Sequence, residues 1–259
     1  MLTFVGLGLY DERSVTIAGR EAIAAADRVV AEFYTSKLVG TTIETLESYH
    51  DTEIERLDRQ AVERGPESIL QAAATSDVAF LTAGDTMIST THVDLRLRAT
   101  ARSIQTRVIH GTTAQAAASS LTGLQNYRFG KATTLPFPYA HGGDDVPQSV
   151  TETITANQDR GLHTLVFLDI KADREEYMRA STASELLATV LDDETVAVAV
   201  CRAGSPEPTV AADRLGALAD RSFGEPLHLL VVPGSLHHME ADALTTLAAC
   251  PAELVEPSH

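Results

Sequence analysis

The sequence predicts an α/β fold in two domains, residues 1–112 and 113–259, and three observations support this prediction. Short apolar runs alternate with helical stretches along the whole chain, which is typical of parallel sheets with crossover helices. A chain of 259 residues can bury a core in each of two domains. The second half again alternates apolar runs with helical stretches, but its sequence does not repeat that of the first half. This change indicates a domain boundary near residues 110–115.

The elements expected in the first half form a parallel sheet with helices between its strands. Ser14 is expected to cap a helix that runs to Ala25, and Pro66 fits the first turn of a helix that ends at Thr75. The predicted strands are Leu2–Leu7, Val29–Phe33, Val78–Thr82 and Arg107–Ile109, and two further helices are Thr91–Arg102 and Thr113–Ser120.

The second half predicts an α+β or mixed α/β domain. Thr182, with Glu185 three residues on, forms a capping box for a helix that ends near Leu191. The predicted strands are Ala132–Phe137, Thr164–Leu168, Val196–Cys201 and Leu227–Val232. The other predicted helices are Val150–Arg160, Val210–Ala219 and His238–Ala248.

The composition narrows the class of protein. The net charge is −16, and the only lysines are Lys37, Lys131 and Lys171, a bias that favours adaptation to high salt over an ordinary acidic protein. Nucleic-acid binding is disfavoured, because the sequence has no stripe of basic residues that could bind phosphates. It also has no apolar run of about 18 residues and no signal-peptide pattern, so we expect a cytoplasmic protein with no membrane partner. Cys201 and Cys250 are expected to be buried, small apolar residues.

Two glycine-containing turns follow apolar strands. The segment from Val5 to Asp11 contains Gly-x-Gly, but Asp11 occupies the third glycine position of a dinucleotide fingerprint and would repel a pyrophosphate. NAD binding is therefore disfavoured against an uncharged or cationic ligand, or a simple tight turn. Asp85, after Gly84, is placed either to accept hydrogen bonds from such a ligand or to cap the next helix, and the segment alone favours neither.

No metal site is predicted. His237, His238 and Glu240 are close in sequence but lack the His-Glu-x-x-His spacing of a zinc site. The chain also lacks the Gly-x-Ser-x-Gly elbow of hydrolases and the phosphate-binding loop of NTPases.

Taken together, several segments resemble the diphthine synthase family of the tetrapyrrole methylase superfamily. They occur in the family's order and span nearly the whole chain. They are Phe4-Val-Gly-Leu-Gly-Leu-Tyr-Asp11, Leu81-Thr-Ala-Gly-Asp85, Thr90-Thr-His-Val-Asp-Leu-Arg-Leu-Arg-Ala99, Val108-Ile-His-Gly111, Thr122-Gly-Leu-Gln-Asn-Tyr-Arg-Phe-Gly-Lys131, Pro136-Phe-Pro138, Leu168-Asp-Ile-Lys171, Arg202-Ala-Gly-Ser205 and Val232-Pro-Gly-Ser-Leu-His237.

The resemblance implies a tetrapyrrole-methylase-like fold in which S-adenosylmethionine (AdoMet) binds in a cleft between two α/β domains of a homodimer. It implies methylation, up to the trimethylated product, of the amino group of a modified histidine on translation elongation factor 2, in diphthamide biosynthesis. No catalytic base is assigned: His110 and Tyr127 could serve, but a packing or hydrogen-bonding role is favoured for each. The family's AdoMet-contacting positions fall on Leu9, Asp85, Ile88, Thr113, Ala114, Leu168, Ala203 and His228.

The chain departs from the family at two of these turns. The family has Gly-Asp-Pro where this chain has Gly84-Asp85-Thr86, and His-Gly-Ala-Ser-Ile where this chain has His110-Gly-Thr-Thr-Ala114. Three other functions stay open at this point: a cobalamin-pathway methylase with a different acceptor, a non-catalytic AdoMet-binding protein and, with less support, a nicotinamide oxidoreductase.

Overall fold

A computed structural model of the chain describes residues 1–143 and 145–255. The chain divides into two compact units. Unit 1 comprises Met1–Thr113 together with Lys171–Glu175. Unit 2 comprises Ala114–Ile170 and the chain from Glu176 onward.

Unit 1 contains a parallel sheet flanked by helices. Its strands are β1 (Leu2–Gly6), β2 (Arg28–Glu32), β3 (Glu55–Leu57), β4 (Val78–Thr82) and β5 (Thr106–Ile109). Its helices are α1 (Ile17–Ala24), α2 (Ile43–His50), α3 (Glu67–Thr75) and α4 (Val93–Ala101). The strand order is β3-β2-β4-β1-β5 and every pairing is parallel. The predicted α/β fold with a parallel sheet is confirmed.

Both faces of this sheet are buried, which explains the continuous apolar runs of its strands. Phe4 and Phe80 pack with an apolar cluster on one face, with their ring centroids 5.6 Å apart. Val5 and Leu81 pack with a second cluster on the other face. Successive residues of a strand point to opposite faces, so each central strand contributes to both clusters.

Unit 2 contains a mixed sheet and five α-helices among the described residues. The strands that lie or begin in this unit are β6 (Thr133–Leu135), β7 (Thr164–Leu168), β8 (Ile170–Lys171), β9 (Glu176–Tyr177), β10 (Val196–Cys201), β11 (Thr209–Arg214) and β12 (His228–Val232). The helices are α5 (Ala114–Thr122), α6 (Gln148–Gln158), α7 (Ala180–Ala188), α8 (Leu215–Ala219) and α9 (His238–Leu247). The main sheet has the order β11-β10-β12-β7-β6, in which only the β6–β7 pairing is parallel, whereas β8 and β9 pair separately.

The helix predicted over Val210–Ala219 is wrong for its first half. Residues Thr209–Arg214 form β11, which pairs antiparallel with β10 along its whole length, and only Leu215–Ala219 are helical. Ala211 and Ala212 are both buried, on opposite faces of the sheet. Pairing with β10 therefore outweighs the helical preference of the alanines, a preference that tertiary contacts readily override.

Two helix starts were also predicted wrongly. Thr16, not Ser14, caps α1, and its hydroxyl accepts a hydrogen bond from the Gly19 N–H at 3.0 Å. Helix α7 begins at Ala180, so Thr182 lies inside it instead of capping it. In each case the helix begins at a residue close to the predicted one. The path of the chain that leads into the helix determines which of these neighbouring residues is the first helical one. Helix α2 and strand β3 were not predicted.

Both cysteines are buried and unpaired, as predicted. Among the described residues, no helix is long and apolar enough to cross a membrane.

Candidate functional site

Three turns of unit 1 lie at the carboxyl edge of the parallel sheet. In a parallel sheet the carboxyl ends of all strands lie at one edge, where ligands bind in open α/β proteins. Leu9, Asp85 and Thr113 each follow one of the neighbouring strands β1, β4 and β5. The first two turns are joined directly, because Gly8 and Gly84 exchange N–H···O hydrogen bonds of 3.1 and 2.7 Å. The fold therefore brings together three of the site residues predicted from the sequence.

Glycines allow these turns to approach closely. A Cβ added to Gly111 would lie 2.2 Å from the Gly84 carbonyl oxygen, and one added to Gly6 would lie 2.5 Å from the Gly111 nitrogen. Gly84 has φ +76°, which favours glycine, and a Cβ there would meet nothing within 4 Å among the described residues. The three backbones are thus in contact with one another, while space remains beside Gly84.

A side chain at Gly111 should disrupt this contact. We expect Gly111→Ala to lower the free energy of unfolding by about 1–3 kcal/mol, because its Cβ meets backbone atoms that cannot move independently. Thermal and urea unfolding measure the change. Gly216→Ala is the matched control, since its Cβ lies in α8 with its nearest neighbour 3.8 Å away. Equal stability of the two variants would contradict the close packing of the three turns.

Asp85 links the turn after β4 to the turn after β5. Its carboxylate is buried, and Oδ1 accepts a hydrogen bond from the Met87 N–H at 2.8 Å. Oδ2 accepts hydrogen bonds from His110 Nδ1 at 2.8 Å and from the Gly111 N–H at 3.2 Å. Because helix α4 begins only at Val93, Asp85 does not cap it, and the helix-cap interpretation is wrong. The sequence alone did not identify His110 as the partner of Asp85.

The other predicted positions in unit 1 differ in exposure. Ile88, in the turn that carries Asp85, is 46% exposed. Leu9 is half-buried, and its carbonyl oxygen accepts hydrogen bonds from the Ser14 hydroxyl and from the Asp11 N–H. Thr113 is half-buried. Thr86, which replaces the family's proline, is fully buried.

In unit 2, three predicted residues lie at neighbouring strand ends. Leu168 ends β7, Ala203 follows β10, and His228 begins β12. His228 pairs with Cys201 across the sheet, and the β12–β7 register brings Leu229 opposite Phe167, one residue from Leu168. Ala114 is the first residue of α5, and both Ala114 and Ala203 pack against one buried cluster of unit 2.

The His228 side chain is held by its own unit. Its Nδ1 accepts a hydrogen bond from the Ala180 N–H at 3.1 Å, so Nε2 carries the proton and donates to the Glu225 carbonyl oxygen at 2.8 Å. Burial lowers the pKa of His228 to about 4, and the Glu225 carbonyl only partly opposes this shift. The imidazole is therefore neutral with both nitrogens engaged, and a ligand at this position would contact the backbone.

This burial predicts a stability that depends on pH. An unfolded histidine has a pKa of about 6.5, so below that pH protonation favours the unfolded chain over the folded one. The free energy of unfolding should fall as the pH drops from 6.5 toward 4, with His228 accounting for about 3 kcal/mol of the loss. Urea unfolding at about pH 7 and about pH 4.5 measures it. His228→Gln should flatten the dependence of the free energy of unfolding on pH. The control His238→Gln, at an exposed histidine, should leave it unchanged. Identical slopes for wild type and His228→Gln would contradict the role assigned to His228.

A second buried carboxylate organises part of unit 2. Glu240 is fully buried, and Oε1 accepts hydrogen bonds from His163 Nε2 and the Gln125 N–H, each at 2.9 Å. Oε2 accepts from Arg128 Nη1 at 2.8 Å and from the His237 N–H at 2.9 Å. Burial by itself would raise the pKa of Glu240, but these donors outweigh it and lower the pKa.

This network explains two sequence features. His237 caps α9 and Glu240 completes a capping box with it, so the cluster that was tested for zinc spacing is a helix start. Among the described residues, no group of histidine, cysteine and acidic side chains is arranged to hold a metal. The network also anchors the segment between Gln125 and Arg128, which belongs to the family motif from Thr122 to Lys131. The sequence alone does not reveal this network, because Gln125 and Arg128 lie more than 100 residues from Glu240.

A family model described as Tetrapyrrole (Corrin/Porphyrin) Methylases matches residues 1–219. The chain belongs to the tetrapyrrole methylase family. This membership confirms the enzyme class predicted from the sequence, an AdoMet-dependent methyltransferase.

Relatives of this methylase share its full length. A diphthine synthase from Halorubrum lacusprofundi is 69% identical and covers 99% of this chain and 100% of the relative. One from Methanosarcina acetivorans is 49% identical over 100% of both chains. A crystal structure of diphthine synthase has a TM-score of 0.91 and 39% identity over 98% of each chain. The predicted resemblance to diphthine synthase is confirmed, and its relatives from salt-loving archaea agree with the acidic, lysine-poor composition.

Proposed function

We propose that this methylase transfers methyl groups from AdoMet to the amino group of the 2-(3-amino-3-carboxypropyl)histidine intermediate on translation elongation factor 2. The product would be diphthine, with up to three methyl groups, as a step in diphthamide biosynthesis. The observation that carries the proposal is the likeness to diphthine synthases, which extends over the whole chain and remains at 49% identity in a methanogen. A cobalamin-pathway methylase would share the family fold but not this full-length likeness.

The turns of unit 1 fit AdoMet. AdoMet carries a sulfonium and an ammonium group but no phosphate, so a carboxylate at the site attracts it, whereas a carboxylate would repel a dinucleotide. Asp85 Oδ1 accepts the Met87 N–H, and a carboxylate oxygen can accept two hydrogen bonds, so this atom retains capacity for a hydroxyl or ammonium donor. The space beside Gly84 lets a ligand approach the backbone. We propose that Leu9, Ile88 and Thr113 contact AdoMet together with Asp85.

The strand-end residues of unit 2 complete the proposed set. Leu168, Ala203 and His228 lie at neighbouring strand ends, and Ala114 begins the helix that packs on the same sheet. Three of the four side chains are apolar, and the fourth has both ring nitrogens engaged. We therefore propose that these residues bind AdoMet through backbone groups and apolar contacts. The predicted inter-domain cleft stays a prediction.

Methyl transfer is mainly a problem of orientation. AdoMet supplies a methyl group bonded to a positively charged sulfur; the new N–C bond forms as the S–C bond breaks, and the bonding electron pair leaves with sulfur. The residues of the site must hold the acceptor nitrogen and this bond in line. The acceptor has a reference pKa of about 8 as an α-amino group, so a neutral fraction exists near neutral pH, and each proton can pass to solvent. No side chain is assigned as base.

Mass spectrometry of elongation factor 2 tests the proposal. The factor, carrying the modified histidine, is incubated with the enzyme and AdoMet in high salt. We expect the peptide that contains the modified histidine to gain up to three methyl groups, with S-adenosylhomocysteine formed in equal number. AdoMet binding without methylation would favour a non-catalytic AdoMet-binding protein, and methylation of a precorrin in place of the factor would favour a cobalamin-pathway enzyme.

We also propose that the enzyme is a homodimer in the cytoplasm. Family resemblance supports this assembly, and light scattering coupled to size-exclusion chromatography in high salt tests it. A mass equal to that of one 27.7 kDa chain would contradict the dimer.

A further inference from the structure

Unit 1 contains a buried acid–histidine pair beside the turn that carries Asp85. Glu32, the last residue of β2, pairs in register with Thr82, the last residue of β4. Glu32 and His92 are fully buried in their side chains, and Glu32 Oε1 lies 3.4 Å from His92 Nε2. A glutamate side chain is rarely buried completely unless it is paired or hydrogen-bonded.

Each member of the pair is fixed on its own side. Glu32 Oε2 accepts the N–H groups of Tyr34 and Thr35, each at 3.1 Å, and Oε1 accepts the Thr35 hydroxyl. Burial raises the pKa of Glu32 and lowers that of His92. Desolvation thus disfavours a charge on either group, and the carboxyl is held by neutral donors at the end of β2.

His92 contacts two other residues of the segment between β4 and α4. Its Nδ1 lies 2.9 Å from the Thr90 hydroxyl and 3.3 Å from the Thr86 carbonyl oxygen. The ring packs edge-to-face against Phe80 of β4, with centroids 5.0 Å apart. One imidazole therefore lies against Thr86, Thr90, Phe80 of β4 and the carboxyl group at the end of β2.

We propose that the Glu32–His92 pair is a positioning device that fixes the segment from Thr86 to Thr91 and thereby holds Asp85 and Ile88 in place for AdoMet. Asp85 immediately precedes this segment, and Oδ1 of Asp85 accepts the N–H of Met87 within it. Ile88 is exposed, whereas the side chains of Thr86, in this segment, and of His92, just after it, are buried. The inference rests on the proposed function, because it assigns the pair to AdoMet binding.

The test compares variants at His92. Phenylalanine keeps a ring against Phe80 but removes both nitrogens, whereas glutamine restores a polar group within reach of Glu32. We expect His92→Phe to raise the Kd and the KM for AdoMet by about tenfold, with a much smaller change in kcat. The reason is that displaced binding residues weaken AdoMet binding more than they slow methyl transfer. His92→Gln should recover most of the affinity. His50→Phe is the matched control, since His50 is another buried histidine of unit 1, at the end of α2.

Hydrogen exchange provides a readout that needs no ligand. His92→Phe should speed amide exchange in residues 86–91 while β1 and β4 keep their protection, and His50→Phe should leave residues 86–91 unchanged. An unchanged AdoMet Kd in a folded His92→Phe protein overturns the inference but not the proposed function. If the wild-type protein binds no AdoMet, both fail. A general loss of protection throughout unit 1 would show a merely structural role and also overturns the inference.

Discussion

Replacing Asp85 by alanine is expected to weaken AdoMet binding by about a hundredfold. The change removes the carboxylate proposed to attract AdoMet and also frees the donors of Met87, His110 and Gly111. Hydrogen bonds to charged groups contribute about 1.5–3 kcal/mol each. A tenfold change in Kd corresponds to about 1.4 kcal/mol. The loss of one contact with AdoMet, together with the altered geometry of the turn, therefore accounts for a change in Kd of about a hundredfold. Isothermal titration of AdoMet and of S-adenosylhomocysteine in high salt measures it.

Two controls separate the roles of Asp85. Asp85→Asn keeps an acceptor oxygen and the side-chain volume, so it should preserve more of the fold and lose chiefly the attraction for the positive charge. AdoMet binding should therefore suffer more than the binding of uncharged sulfur in S-adenosylhomocysteine. Asp94→Ala removes an exposed carboxylate that pairs with Arg98 on α4, and should leave the Kd unchanged. Wild-type affinity in Asp85→Ala would remove this residue from the site.

Replacing Glu240 by alanine is expected to lower the free energy of unfolding by about 3–5 kcal/mol, the range for breaking a buried charged network by removing one partner. The alanine would remove the acceptor of His163 Nε2 and of Arg128 Nη1 and would undo the capping box of α9. The His163 ring is fixed in one orientation, because Nδ1 accepts the Gly234 N–H at 3.0 Å while Nε2 donates to Glu240. Urea unfolding in constant salt, near neutral pH, measures the loss.

Variants of the same helix sharpen this experiment. Glu240→Gln keeps the side-chain volume but directs an amide N–H₂ group toward hydrogen-bond donors. It should therefore be less stable than the wild type but more stable than Glu240→Ala. Asp242→Ala, at an exposed position two residues further along α9, should change stability by about 0.5 kcal/mol or less. A loss at Glu240 as small as that at Asp242 would show that the network contributes nothing net to folding.

The strands that carry the site were predictable because burial leaves a local signal. Val78–Thr82, Thr164–Leu168 and Val196–Cys201 have the predicted bounds, since each is a short run of buried apolar residues that ends at polar or turn residues. The placement of Asp85 and Leu168 at strand ends followed from these bounds. Family motifs in the sequence identified the enzyme class, which local patterns alone could not have done.

Other features depended on partners distant in sequence. Strand β11 exists because β10 offers an edge to pair with, although its alanines favour a helix by themselves. Glu32 stands at the end of an apolar strand, a position that marks it as unusual, but its partner His92 lies 60 positions further along the chain and meets it only when the chain folds back. The link between Asp85 and His110 likewise arises only when β4 and β5 take their places on either side of β1.

By itself, the sequence determined the α/β class, the parallel sheet of the first half, most strand ends and the methyltransferase family, because hydrophobic burial and turn chemistry are encoded in neighbouring residues. Only the tertiary structure decided which polar groups meet: Asp85 with His110, His92 with Glu32, and Glu240 with His163 and Arg128. A polar side chain withdrawn from water needs a partner to offset its lost hydration, and packing of whole elements determines which partner it finds.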